Sequence, residues 1–221
     1  MLIKRLFDLI ASSVGLLILW PVMIIIAFVI VASSKGPILF KQKRVGKGGI
    51  LFSCYKFRTM INNSEKHGTV TVASDARITS VGKFLRKYKL DELPQLWNVL
   101  IGKMSFVGPR PDVPGYADML KGEDAAVMNL RPGITGPATL FFRNEEELLT
   151  MVDNPRQFND TVLWPLKVKI NLQYLKNWKF KNDIGYILIT LFPLLNIVLK
   201  LAKTPPKTPI ECVQVLTQFT S

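Results

Sequence analysis

Between Asp8 and Lys35 the chain carries no charged residue, and Val14 to Ala32 is apolar throughout if Gly15 and Pro21 are allowed. A run of about 20 apolar residues suffices to cross the hydrocarbon core of a bilayer as a helix. No small-x-small cleavage site ends the run, which sets it apart from a removable signal peptide. Pro21 deletes one backbone hydrogen bond and crowds the preceding turn, so a kink or break is expected there. Both flanks are basic, with Lys4 and Arg5 before and Lys35, Lys41, Lys43, Arg44 and Lys47 after. Positive charge on both sides is best satisfied with both ends on the cytoplasmic face. A helix-break-helix that dips in and returns meets that condition; a kinked transmembrane helix stays open on these residues alone.

The rest of the chain is basic as well. Lys+Arg number 29 against 16 Asp+Glu, a formal charge of +13, while 48% of the residues are hydrophobic. Strong positive charge calls for an anionic partner, and the accompanying apolar content favours a membrane surface or a phosphorylated substrate over nucleic acid. The cations are spread along the chain with no nucleic-acid-binding motif, so no nucleic-acid partner is expected. Cys54 and Cys212 have no metal-ligand spacing and read as ordinary buried thiols. His67, the only histidine, sits in the polar stretch from Asn62 to Gly68. A single histidine nearly excludes Ser-His and Cys-His triads and His-rich zinc sites.

Past Gly36-Pro37, residues 38–46 and 50–58 read as two short strands around the hairpin signal Gly46-Lys47-Gly48-Gly49. Ser80 is a plausible N-cap for a helix carrying Val81, Phe84, Leu85 and Tyr88. Leu93 to Leu100 reads as a second helix, with Asp91 at or beside its N-cap and Pro94 in its first turn. Trp164 to Trp178 is amphipathic and Lys-rich. Ile184 to Leu199 reads as an interfacial or core-packed helix, with a second membrane insertion as the alternative. Pro205-Pro206 is expected to end the ordered fold and leave a tail.

Asp91 and Glu92 carry the chemistry. As helical neighbours their side chains diverge by about 100°, which suits two jobs better than one shared proton. One carboxylate can attack phosphorus and split a transfer into two steps. The other can hold Mg²⁺ against diphosphate oxygens. Lys83, Arg86, Lys87 and Lys89 lie just upstream, and Arg110 is fixed between Pro109 and Pro111. Such cations let an anionic nucleophile approach an anionic diphosphate. On the residues alone, a capped helix with a solvated basic face is the reading that the catalytic one has to displace.

The ordered motifs resemble the bacterial monotopic phosphoglycosyl transferases, which start glycan assembly on polyprenyl phosphate. The resemblance covers nearly the whole chain. It runs through Lys4-Arg5, Asp8, Gly36-Pro37, Phe40-x-Gln42-x-Arg44-x-Gly46, Lys56-Phe57-Arg58-Thr59-Met60 and Asp75-x-Arg77-x-Thr79. Gly82, Leu85-Arg86, Asp91-Glu92-Leu93-Pro94-Gln95-Leu96-x-Asn98, Met104-Ser105-x-Val107-Gly108-Pro109-Arg110-Pro111 and Arg131-Pro132-Gly133-Ile134-Thr135-Gly136 continue it in order. Two positions depart from the pattern: Trp20 stands before Pro21 where a small hydroxyl residue is common, and Gly136-Pro137-Ala138-Thr139 lacks the frequent Trp-Ala-Gln.

The resemblance implies an enzyme that moves a sugar-1-phosphate from a UDP-sugar to polyprenyl (undecaprenyl) phosphate and releases UMP. Asp91 matches the nucleophile and Glu92 the acid associated with Mg²⁺. Lys56 and Arg86 match positions that assist at the phosphates, and Arg110 with Pro111 lies in the loop lining the nucleotide pocket. The implied fold is α/β and mostly helical. It has a proline-broken re-entrant membrane helix at residues 1–34 and a catalytic domain at 35–203 built from a short β-hairpin and interfacial helices. A tail at 204–221 completes the expected division. The short form of the chain resembles single-module members, at the cytoplasmic face of the bacterial inner membrane; self-association into a homodimer is left open.

Overall fold

The computed structural model describes residues 1–62 and 76–220; His67 and Asp75 lie outside them. The chain divides into two compact units. The first holds residues 1–44, 51–62 and 76–105, the second residues 45–50 and 106–220.

The first unit opens with α1 (Leu2–Ser33), a single helix of 32 residues. At 1.5 Å per residue it is about 48 Å long. Of the kink or break expected at Pro21, the break does not occur: helix runs through the proline. Proline removes one hydrogen bond, and the bonds of the turns on either side suffice to carry the helix through. One stripe of α1 turns inward, through Lys4, Asp8, Ser12, Ile26 and Ile30. The outward face is almost wholly apolar, with Leu2, Leu6, Leu17, Ile18, Ile25 and Phe28 all more than half exposed.

Next come β1 (Leu39–Val45) and β2 (Leu51–Phe57), paired as a hairpin. Gly48 and Gly49 at its tip have φ of 68° and 76°, a left-handed backbone that suits glycine. Then follow α2 (Ser80–Lys87) and α3 (Gln95–Leu100). The cap of α2 is Thr79 and not Ser80: its Oγ1 accepts from the Gly82 N–H at 2.9 Å. The helix expected from Leu93 begins at Gln95, after a separate 3₁₀ turn at Leu90–Glu92. Pro94 stands at its N-cap, so Asp91 lies one turn earlier than expected. Ile26 and Ile30 of α1, Phe57 of β2 and Leu85 of α2 form the unit's core.

The second unit contains a short sheet, β3 (Ser105–Val107) with β4 (Gly133–Thr135). Small helices α4 (Pro137–Phe141), α5 (Glu145–Thr150) and α6 (Pro155–Phe158) lead to α7 (Trp164–Lys176). The apolar stretch expected as one helix is two, α8 (Phe180–Leu191) and α9 (Asn196–Leu199), because Phe192 leaves the helical conformation and Pro193 opens a 3₁₀ turn. The residues expected as a tail include α10 (Pro209–Thr220). Cys212 of α10 is fully buried beside Leu163, Leu166 and Ile170, with Val215, Leu216 and Phe219 packed around it. The signal was present: Cys212, Val215, Leu216 and Phe219 recur at helical spacing, and Thr208-x-x-Glu211 is a capping-box pattern. Its cap is partly formed, the Glu211 N–H reaching Thr208 Oγ1 at 3.4 Å. Cys54 and Cys212 are both buried thiols, as expected, and burial raises the Cys212 pKa to about 11.

Candidate active site

The site in the first unit is built from the end of β2 and the turn before α3. Residues 56–58 of β2 and its exit have three separate destinations. Lys56 reaches the turn, where its Nζ donates to Glu92 Oε1 at 2.6 Å. Phe57 enters the core. Arg58 is buried and donates from Nη2 to the Ser34 carbonyl at 2.7 Å and from Nη1 to that of Lys35. A guanidinium at that position closes the C-terminus of α1, where free carbonyls gather partial negative charge.

The register between β2 and α3 is set by Asn98, fully buried. Its Nδ2 donates to the Ser53 carbonyl at 2.8 Å, and its Oδ1 accepts from the Tyr55 N–H at 3.1 Å. The amide thereby satisfies the edge of β2 as a neighbouring strand would. It ties the strand bearing Lys56 to the helix following Glu92. At the other end of α3, Arg5 of α1 donates to the carbonyls of Val99 and Leu100, each at 2.7 Å. Asp8 accepts from Ser105 Oγ at 3.1 Å. Both ends of α1 are therefore held by the first unit.

Chain reversal after α2 depends on Lys89, in the left-handed conformation at φ 55°. It brings Asp91 back into the field of Arg86. Asp91 is 7% exposed. Burial pushes its carboxyl above the ordinary range; Lys56 pulls it down, Glu92 adds to the rise, and Lys89 and Arg86 oppose it. Its Oδ1 is buried without a hydrogen-bond partner among the described residues. An unsatisfied buried carboxylate oxygen is costly, which marks Asp91 as a candidate functional group.

Four of the six residues predicted from sequence thus come together: Lys56, Arg86, Asp91 and Glu92. Arg110 and Pro111 belong to the second unit. There Gly108, Gly133 and Gly136 bring two backbone segments into contact; a Cβ on Gly133 would come within 2.2 Å of the Gly108 nitrogen. The Gly108 N–H donates to the Thr135 carbonyl at 2.9 Å, and that of Gly133 to the Pro109 carbonyl at 2.7 Å. Pro111 is buried and Arg110 exposed at the end of this braced segment. Sequence reasoning gave no role to Asn98, Arg58 or Arg5, whose partners lie 23 to 95 positions away.

No cluster of three or more His, Cys, Asp or Glu capable of holding a metal occurs among the described residues. Mg²⁺ does not need one: it commonly takes one or two carboxylates and completes its shell with substrate phosphates and water. The Glu92 carboxylate, adjacent to the unpartnered Asp91 oxygen, fits that donor chemistry.

The bacterial sugar transferase family profile matches residues 1–196, nearly all of the motifs just described. This chain belongs to the bacterial sugar transferase family. Among similar proteins is the UDP-glucose:undecaprenyl-phosphate glucose-1-phosphate transferase of Klebsiella pneumoniae, 36% identical over 198 residues. That match covers 87% of this chain and 40% of the relative. The UDP-N-acetylgalactosamine-undecaprenyl-phosphate N-acetylgalactosaminephosphotransferase of Aeromonas hydrophila is also 36% identical over 198 residues, covering 88% of this chain and 44% of the relative. The chain spans about two fifths of the length of such relatives. It matches others along most of their length: sugar transferase EpsL of Bacillus subtilis is 35% identical over 191 residues, 86% of each chain.

Proposed function

We propose that this sugar transferase family member moves a sugar-1-phosphate from a UDP-sugar to undecaprenyl phosphate, in two steps through Asp91. The observation that carries the reading is the Asp91 carboxylate, buried with one oxygen unpartnered and ringed by Lys56, Lys89 and Arg86. The names of the relatives support the donor and acceptor classes.

In the first step an Asp91 carboxylate oxygen attacks the phosphorus bonded to the sugar oxygen. A P–O bond forms to the carboxylate, the P–O bond to the second phosphate breaks, and UMP leaves with that electron pair. In the second step a phosphate oxygen of undecaprenyl phosphate attacks the same phosphorus. The acyl-phosphate bond breaks and the Asp91 carboxylate is restored. Covalent catalysis of this kind divides one hard transfer into two easier ones. Burial assists it, since a desolvated, more basic carboxylate is the better nucleophile once ionised. Lys56 holds Glu92 in place and, with Arg86 and Lys89, offsets charge as two anions meet. Glu92 is the residue that would hold Mg²⁺, leaving Asp91 for attack; the ion would supply neutralisation of charge on the diphosphate. Arg110 and Pro111 are assigned to the nucleotide in the same reading.

The helix α1 bears on where this happens. Arg5 near its start and Ser34 at its end both bond within the first unit, although the helix is longer than a bilayer core is thick. That supports both ends lying at the cytoplasmic surface, which requires α1 to bend at Pro21 as it enters one leaflet.

The test is UMP release from a panel of UDP-sugars, with Mg²⁺ or a chelator and with or without undecaprenyl phosphate. A phospho-sugar adduct on the Asp91 peptide, formed without lipid and discharged by it, is expected. Asp91→Asn should lower turnover at least about a thousandfold, the scale of losing a covalent nucleophile. Near-normal turnover in that variant would overturn the mechanism.

A further inference from the structure

We propose that a cleft in the second unit, between the end of α4 and the 189–205 segment, binds the phosphate head group of an anionic membrane phospholipid. The cleft has a volume of about 500 Å³, within the range of small-ligand sites. Three cations line it, Arg143, Lys200 and Lys203, and no carboxylate does. Neither the Arg143 nor the Lys200 side chain has a hydrogen-bond or ion-pair partner among the described residues, whereas Lys167 and Lys169 of the same unit pair with Glu145 and Asp124.

The cations are presented by a braced loop. Asn196 binds Ala202 in both directions, its Nδ2 donating to the carbonyl at 2.9 Å and its Oδ1 accepting from the N–H at 3.0 Å. Leu201 packs into the core, where it lies so close to Gly185 that a Cβ there would meet its Cδ1 at 2.1 Å. With Leu201 and Ala202 committed inward, Lys200 and Lys203 stand exposed on either side. Lys200 adopts φ 47°, a conformation that costs a non-glycine residue energy. Lys203 also lies over the Phe219 ring, 4.9 Å from its centroid.

The surroundings decide for a lipid over a soluble phosphate. Leu191, Phe192, Leu194, Ile197 and Val198 are all at least 60% exposed in the same segment. Exposed apolar side chains beside clustered cations are the pattern of a surface that takes acyl chains and head group together. A guanidinium and two ammonium groups supply charge-assisted hydrogen bonds to a phosphodiester. With no carboxylate in its lining, the cleft has no nucleophile of the kind Asp91 provides. It holds a phosphate without transforming it.

The experiment measures binding of phosphatidylglycerol and of phosphatidylcholine to detergent-purified full-length protein by native mass spectrometry. Because the apolar face of α1 takes lipid of either kind, the readout is the ratio of the two affinities. R143Q/K200Q/K203Q should lower the preference for phosphatidylglycerol by about fivefold for each cation removed. K121Q/K176Q/K207Q, which removes the same charge elsewhere in the second unit, should keep it. An unchanged preference in the first variant, or an equal loss in the second, would overturn the proposal. So would one-for-one displacement of phosphatidylglycerol by undecaprenyl phosphate or by inorganic phosphate, which would make the cleft an acceptor or free-anion site. Failure to bind either lipid would overturn the proposal and count against the membrane reading of α1 as well. Thermal unfolding of both variants checks that each has folded.

Discussion

The helices α1 and α10 end up inside out with respect to each other. In α10 the apolar residues turn inward: Cys212 is fully buried, and Val215, Leu216 and Phe219 pack on the same core. In α1 the inward stripe begins with Lys4, Asp8 and Ser12, all buried, while Leu17 is 74% exposed. An ordinary surface helix gains stability by hiding its apolar stripe from water. A helix that hides charge and displays leucine is shaped for a solvent in which leucine is at home. In the N-terminal half, its attachment to the protein then falls to specific polar bonds, such as those of Arg5 and Asp8. The second unit is held by packing; the N-terminal helix is tied to the first unit by hydrogen bonds towards its ends together with Ile26 and Ile30 in the core, and left greasy outside.

That contrast can be broken most directly by paired truncations. Leu166→Ala, in the core beside α10, should cost about 2–5 kcal/mol in thermal or denaturant unfolding. Leu17→Ala should change unfolding in detergent by no more than about 0.5 kcal/mol. Equal costs would mean that α1 is packed like any core helix. A smaller effect sharpens the account of how α1 is attached. Arg5→Met should destabilise by about 2 kcal/mol, since two charge-assisted bonds to the end of α3 are lost while the apolar stem is kept. A variant as stable as the parent would show that apolar contacts alone dock α1.

The smallest effect concerns stability at the site itself. Asp91 has an ordinary value of 3.8 and is raised in the fold, chiefly by burial. Above the folded pKa it is ionised both folded and unfolded, and folding bears the full cost of burying the charge. That cost shrinks as pH falls through the folded pKa and vanishes below 3.8. Unliganded Asp91→Asn should therefore melt slightly higher than the parent at neutral pH, and the gain should fade on acidification. A gain that grows with acid would contradict the buried-carboxylate reading. The parent's turnover should correspondingly fall on its acidic side above the usual carboxylate range, because the attacking group must be ionised.

Much of the site was legible because its motif is local. Asp91, Glu92 and Arg86 fall within seven positions, and the one expectation needed was a chain reversal, which Lys89 provides. Lys56 entered only through family resemblance, and its partner Glu92 lies 36 positions away. Asn98, Arg5 and Arg58 were invisible as anchors for the same reason. A buried polar residue announces its type in a sequence, but its partner is set by the packing of distant elements. The break at Pro21 was overcalled because one missing hydrogen bond was weighed without the turns around it. The end of the chain was undercalled because two prolines outweighed a helical apolar pattern that follows them.

By itself the sequence determined that a long uncharged segment seeks an apolar surrounding, that a hairpin turns at Gly48-Gly49, and that two adjacent acids stand among cations. Composition and periodicity are local quantities, and these features rest on nothing else. Only the tertiary structure decided which stripe of α1 turns inward, that Lys56 holds Glu92, and that one oxygen of Asp91 is buried unpartnered. Each of those depends on where a residue far along the chain comes to rest, and burial, which sets their chemistry, exists only once the chain has folded.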